Sequence, residues 1–163
     1  MVSVGVISDT HDLLRPEAVD ALAGSDLILH AGDVVSPGIL ASLEKIAPTK
    51  AVRGNNDRGA WAGEVPENLV LQIEGVRLLL VHDRKTIDLD PLAAGFNLVI
   101  SGHSHRPSIE RRGGVLYLNP GSAGPRRFSL PIAVARIRVD GTRLRTRVLQ
   151  LDCRSPKAGR PPG

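Results

Sequence analysis

Apolar and polar positions in this chain group into short runs, and the runs change character about a third of the way along. Residues 2–8 form a compact apolar run rich in β-branched side chains, and 27–30 and 50–53 read as further short strands. Two helical segments lie between them. Pro16 occupies a first-turn position for a helix that ends near Ala23, before Gly24, and Ser36-Pro37 caps and opens a second helix ending near Ile46. The order β-α-β-α-β predicts parallel strands joined by right-handed crossovers. After Asn55 the pattern changes, because 69–73 and 76–81 are separated only by Glu74-Gly75, a tight-hairpin signal. A short helix is predicted after Pro91, then a strand over 98–101 and a hairpin of 109–112 with 115–118 about Gly113-Gly114. A last hairpin pairs 132–139 with 143–151 around Asp140-Gly141. So many antiparallel strands after a βαβαβ start imply an α/β fold of two mixed sheets packed face to face, with helices outside.

The length of 163 residues fits one domain, taken as 1–153, large enough to fold without disulfides or a structural metal. Residues 154–163 carry proline, glycine and basic side chains with almost nothing apolar, which predicts a disordered tail. The first apolar run is too short for a membrane span and meets the polar Asp9 at once, and Cys153 stands alone. A cytoplasmic protein without membrane association is expected. The net charge of +4 raises nucleic acid as a partner, but the densest basic stretch, 136–147, alternates Arg143, Arg145 and Arg147 with Leu144 and Thr146, as one solvated strand face does. With only Trp61, Phe96, Tyr117 and Phe128 to stack on bases, sequence-specific nucleic-acid binding is not expected.

The chemistry sits in polar clusters that each follow a strand-like run. These are Asp9 with His11, Asp33 after Gly32, Asn55 with Asn56 and Asp57, His82, and His103 with His105 after Gly102. Taken singly, an Asp-x-His or a Gly-Asn-Asn-Asp is as readily a turn, and a lone histidine a satisfied core residue. Taken together, Asp9, His11, Asp33, Asn55, His82, His103 and His105 offer seven nitrogen and oxygen donors without sulfur, what two divalent ions sharing a carboxylate require. Parallel strands deliver such loops to one crevice beyond their carboxyl ends. His30, inside the second strand, reads as a structural group or a support behind the ligands.

The motifs Asp9-x-His11, Gly32-Asp33, Gly54-Asn55-x-Asp57, His82 and Gly102-His103-x-His105, with Asn119-Pro120-Gly121-Ser122 as a closing loop, resemble the small YfcE-type group of calcineurin-like metallophosphoesterases. The resemblance implies a four-layer αββα sandwich with a dinuclear centre. One ion would be held by Asp9, His11, Asp33 and His105, and the other by Asp33, Asn55, His82 and His103. Asp33 would bridge the two, and a hydroxide held between the ions would attack phosphorus in line. Mn²⁺ is the expected metal, with Ni²⁺, Fe²⁺ and Zn²⁺ compatible with the same donors.

A phosphodiester, small or nucleotide in kind, is the expected substrate. The rival readings are a phosphomonoesterase, with Arg106, Arg126 or Arg127 neutralising the extra charge, and a scaffold like the retromer subunit that shares this fold. Larger relatives carry a histidine acid after the Asn55 equivalent; Asn56 could hold a phosphate oxygen there but is no acid, and Asp57 is expected to orient its loop or a ligating histidine. Asp12 and Asp83 replace glycines common in the family, and their carboxylates either act on the site or face solvent. Trp61 is placed as a rim contact for substrate or a second copy in a homo-oligomer, or as packing for its own loop.

Overall fold

A computed structural model of the chain describes residues 1–153; the predicted disordered tail lies outside the described residues. Strand β1 (Val2–Ile7), helix α1 (Pro16–Leu22), β2 (Leu27–His30), α2 (Pro37–Glu44) and β3 (Thr49–Ala51) form the expected parallel start. A one-turn helix α3 (Ala60–Gly63) follows, then β4 (Asn68–Ile73), β5 (Val76–Val81), β6 (Leu98–Ile100), β7 (Ser108–Arg112), β8 (Val115–Asn119), β9 (Ala133–Asp140) and β10 (Arg143–Gln150). The strands make two five-stranded sheets, ordered β10-β9-β1-β2-β3 and β4-β5-β6-β8-β7. Both are mixed. In the first, β1, β2 and β3 run parallel with β9 antiparallel beside β1. In the second, β5, β6 and β8 are parallel between antiparallel edge strands.

Register decides where the loops meet. Ile7 pairs with His30 and His30 with Ala51, so the three parallel strands of the first sheet end level. Leu80, Ile100 and Leu118 do the same in the second. The sheets face each other across Val4, Val6, Leu29, Leu78, Leu80 and Ile100, all buried. Helices α1 and α2 cover the far side of the first sheet through Ala18, Leu22, Ile39 and Leu43, which lie against Ile7 and Ile28. Arg143, Arg145 and Arg147 are exposed while Leu144 and Val148 lean on the inter-sheet core, the one-faced strand that the alternation predicts.

The outer face of the second sheet departs from expectation. No helix follows Pro91; the chain makes a turn in which Ala94 N donates to Asp90 O and Phe96 N to Pro91 O. Gly95, at φ 83°, ends it after too few residues for helix propagation to offset nucleation. Together with a 3-10 turn, Arg84–Thr86, this segment is the thin fourth layer, with Phe96 buried against Leu79, Val81 and Val99. The last hairpin turns on Gly141 and Thr142, one residue later than predicted, since Asp140 still pairs with Arg143. Trp61 lies on α3, unforeseen in the sequence, and packs on the helix-covered core. Among the described residues no helix is long and apolar enough to cross a membrane.

Candidate metal centre

The level strand ends bring every predicted cluster to one edge of the sandwich. The loops after β1 and β2 are zipped together by Asp9 N to Gly32 O, His11 N to Asp33 O and Asp12 N to Val34 O, and the second-sheet loops by Gly102 N to His82 O. His103 N donates to Asp9 Oδ2 at 3.0 Å and so ties one sheet's loops to the other's. Close approach requires glycine: a Cβ on Gly102 would stand 2.7 Å from Asp9 Oδ2, and one on Gly54 would run into the Asp33 carboxylate. Asp9, His11, Asp33, His103 and His105 all have φ between 45° and 69°. Left-handed backbone costs about 1–3 kcal/mol per residue, and such strain gathers at functional sites.

The donor atoms form two groups. Asp9, His11 and His105 converge in one, with His105 Nε2 3.3 Å from Asp9 Oδ1. Asp33 joins His82 and Asp9 in the other. Asp9 is thus common to the two groups, and Asp33 Oδ2 also reaches a histidine of each, 3.5 Å from His11 Nε2 and 3.4 Å from His82 Nε2. On the far side, His82 Nε2 is 2.9 Å from Asn55 Oδ1 and 3.2 Å from His103 Nδ1. The other ring nitrogen, His82 Nδ1, donates to the Ala31 carbonyl at 2.7 Å, so in the neutral ring Nε2 presents a lone pair to two oxygen acceptors, Asn55 Oδ1 and Asp33 Oδ2. A proton on His82 Nε2 or a cation relieves that crowding. Asp9 Oδ1, His11 Nε2 and His105 Nδ1 are buried without hydrogen-bond partners, as donors meant for a metal are.

The charges agree with a cation site. Burial works to raise the Asp33 carboxyl, but the His82 ring 3.4 Å away and the hydrogen bonds from Asn56 outweigh it and hold Asp33 well below the usual carboxylate range. Burial likewise opposes ionisation of Asp9, and the proximity of the His105 ring and a hydrogen bond from Ser8 overcome it. Burial lowers His82 less than its contact with Asp33 and the charge of Asp9 raise it. His11 is lowered by burial, against the pull of Asp33 and Asp9 and with a further push from the positive Arg127.

Around the donors stands a supporting ring. Asn56 gives both its backbone N and its side-chain Nδ2 to Asp33, each at 2.9 Å; the side chain thus holds the carboxylate in place of a phosphate oxygen. Asp57 accepts from the amides of Asp33, Gly54 and Val35 at 3.0, 2.8 and 2.7 Å, a clamp on two loops whose partners include no histidine. His30 is fully buried; its Nδ1 accepts from Gly32 N, so Nε2 carries the proton given to Thr10 Oγ1 at 3.0 Å. Burial lowers its pKa to about 4. Asp83 Oδ2 is 3.8 Å from His103 Nε2, while Asp12 is exposed. Sequence reasoning overlooked Ser8, which donates to Asp9 Oδ2 at 2.7 Å, and the way Asn119 fastens Gly102 O and Ser104 Oγ. Only adjacency to a motif could have flagged them.

Residues 2–142 match the calcineurin-like phosphoesterase superfamily domain. The chain belongs to this superfamily. It is 40% identical to a probable metallophosphoesterase of Methanothermobacter thermautotrophicus, over 93% of this chain and 96% of that protein. It is 25% identical to a phosphodiesterase of Methanocaldococcus jannaschii, over 74% of this chain and 83% of the relative. Among solved structures, vacuolar protein sorting 29 of Cryptosporidium parvum superposes with a TM-score of 0.80 at 22% identity, over 92% of this chain and 91% of that one, a likeness of fold. The superfamily is metal-dependent and acts on phosphate esters, and the donor groups found here are candidates for holding a metal.

Proposed function

We propose that the protein is a phosphodiesterase working through two divalent ions, Mn²⁺ first among them, held at this loop edge. The position of Asp33 Oδ2, within 3.5 Å of a histidine on either side, is the observation that carries the reading. Asp9, His11 and His105 would hold one ion with Asp33, and Asn55, His82 and His103 the other. When bound, two such ions acidify a water for attack on phosphorus and offset the charge of the phosphate oxygens. With Asp9 and Asp33 the only anions among seven donors, the pocket keeps a positive surplus for a phosphate. Asn56 and Asp57 keep the Asp33 carboxylate in place, and Asn55 contributes an oxygen without charge. The chain offers no histidine at position 56 to protonate a departing alcohol, so esters with good leaving groups are favoured. The diester preference is supported by the M. jannaschii relative. The donor set has no sulfur and Cys153 is free and buried, which suits the reducing cytoplasm.

Two other readings have support. Arg127, whose charge reaches His11, would suit a monoester, and the fold shared with vacuolar protein sorting 29 would suit a scaffold. Turnover of bis-aryl and mono-aryl phosphates by metal-stripped protein, after separate additions of Mn²⁺, Ni²⁺, Zn²⁺ and Mg²⁺, separates all three. Metal-restored diester hydrolysis is the expected result; faster monoester hydrolysis selects the first alternative, and no hydrolysis with two ions bound selects the second.

A further inference from the structure

The histidine cluster opens onto two cavities that differ in the charge of their linings, and His103 lines both. One, of about 460 Å³, runs from Asn55, His82 and His103 along the outer face of the second sheet. Strand alternation makes its floor: Leu78 and Leu80 point inward to the core, so Leu79 and Val81 point out, where their cross-strand partners Val70 and Asn68 lie beside them. Ile87, Leu89 and Phe96 form the facing wall. The cleft stays open because the segment after Pro91 is a turn that buries Phe96 but does not lie over β4. Val70 and Leu89 are accordingly 49% and 46% exposed, large apolar side chains facing water within a concave site. Its volume falls in the range of small-molecule sites.

Charge says what the cleft would refuse. Its rim holds three carboxylates, Glu67, Asp83 and Asp88, against the single guanidinium of Arg53, which is already paired with Glu67 at 2.8 Å. A second phosphate would meet repulsion there. The other cavity, of about 340 Å³, carries Arg84, Lys85 and Arg106. Of its acids, Glu110 is occupied by Arg112 at 2.8 Å and by Arg84 at 3.7 Å.

Resting on the phosphodiesterase reading, we propose that the cleft between β4–β5 and the 84–96 segment receives one ester group of the substrate, and that this group is bulky, apolar and uncharged. The phosphate of the diester then lies at the histidines and this apolar alcohol on Leu79 and Val81. Specificity of this kind comes from apolar area, worth about 10–200-fold per well-fitted methylene-sized difference.

The test uses the metal-loaded protein. Binding of 2-naphthyl methyl phosphate is followed by naphthyl fluorescence, dimethyl phosphate is measured as a competitor, and bis-p-nitrophenyl phosphate hydrolysis is assayed on the same samples. Wild type is expected to bind the naphthyl ester at least about tenfold more tightly than dimethyl phosphate. Val70→Asp and Leu89→Asp, both at exposed positions, are each expected to weaken the naphthyl ester about tenfold and leave dimethyl phosphate unchanged. A 6-sulfonate on the naphthyl ring should weaken binding in wild type. Equal affinities for the two esters, or an unchanged preference in both variants, overturns the proposal while hydrolysis upholds the esterase. Selective binding without hydrolysis keeps the cleft and overturns the hydrolytic reading; neither binding nor hydrolysis overturns both.

Discussion

The two halves of the candidate metal centre differ in their access to water. Asp9 and His105 are buried, and three donor atoms in that half lack any protein partner. His103 and Asn55 are exposed, and the His103 side chain is 45% accessible. In the first half the backbone is zipped, His30 and Thr10 brace it from behind, and Ser8 fixes one oxygen of Asp9. In the second half His82 is anchored on the Ala31 carbonyl and the His103 backbone on Asp9, but the His103 ring has only a 3.8 Å contact from Asp83 beside it on its outer side and opens onto both cavities. A rigid, dry half suits retention of an ion, and an open half suits the exchange of substrate and product. Preorganisation and access are divided between neighbouring loops, with Asp33 Oδ2 within 3.5 Å of a histidine in each.

The largest effect should come from Asp33, the residue proposed to bridge the two ions. Asp33→Asn, which tolerates the positive φ and removes the charge, is expected to lower diester turnover by at least about 10³-fold. Metal titration should show weaker binding of both ions. Loss of one ion alone would break the bridging assignment.

His30 tests the bracing of the buried half. Its ring titrates near 6.5 when unfolded and at about 4 in the fold. Between those values the unfolded chain takes up a proton that the folded chain does not. Stability from this group is therefore full above pH 6.5 and is lost as pH falls toward 4, about 3 kcal/mol in all. His11, also lowered, acts in the same sense and His82, raised, in the opposite one. Urea unfolding of metal-free protein at pH 7 and pH 4.5 should give a visibly smaller pH dependence in His30→Asn than in wild type. Identical dependence would deny the bracing role.

Asp57 joins the loops behind the centre without touching a donor side chain. Asp57→Asn keeps the shape but loses an acceptor for one of three amides, and should cost about 10–100-fold in metal affinity or turnover. Calorimetric titration with Mn²⁺ reads this directly. Asp83 in the open half should matter least: Asp83→Gly is expected to weaken the more loosely held ion by less than about fivefold, the worth of an exposed ion pair. Unchanged affinity and turnover would remove Asp83 from the centre's account.

Much of this was legible along the chain. The strands, the first two helices and the donor clusters rest on local signals: apolar runs, Pro16, Ser36-Pro37, and glycines at 32, 54 and 102 where loops must approach closely. The helix predicted after Pro91 failed because an apolar pattern cannot show that Phe96 will be drawn onto the sheet, leaving only a turn's length of chain. Asn56 was legible as a polar loop residue but not as a partner of Asp33, since both its bonds reach across 23 positions.

The sequence by itself determined which side chains can carry the chemistry and which loops hold them, because residue type and turn chemistry are properties of a few neighbouring positions. Only the tertiary structure decided which donors meet, which half of the centre is dry, and that an apolar cleft lies beside it. Those depend on strand register, on the bond from His103 to Asp9 between the two sheets, and on what does and does not cover Val70 and Leu79. Convergence in space is set by the packing of distant segments, and no local periodicity encodes it.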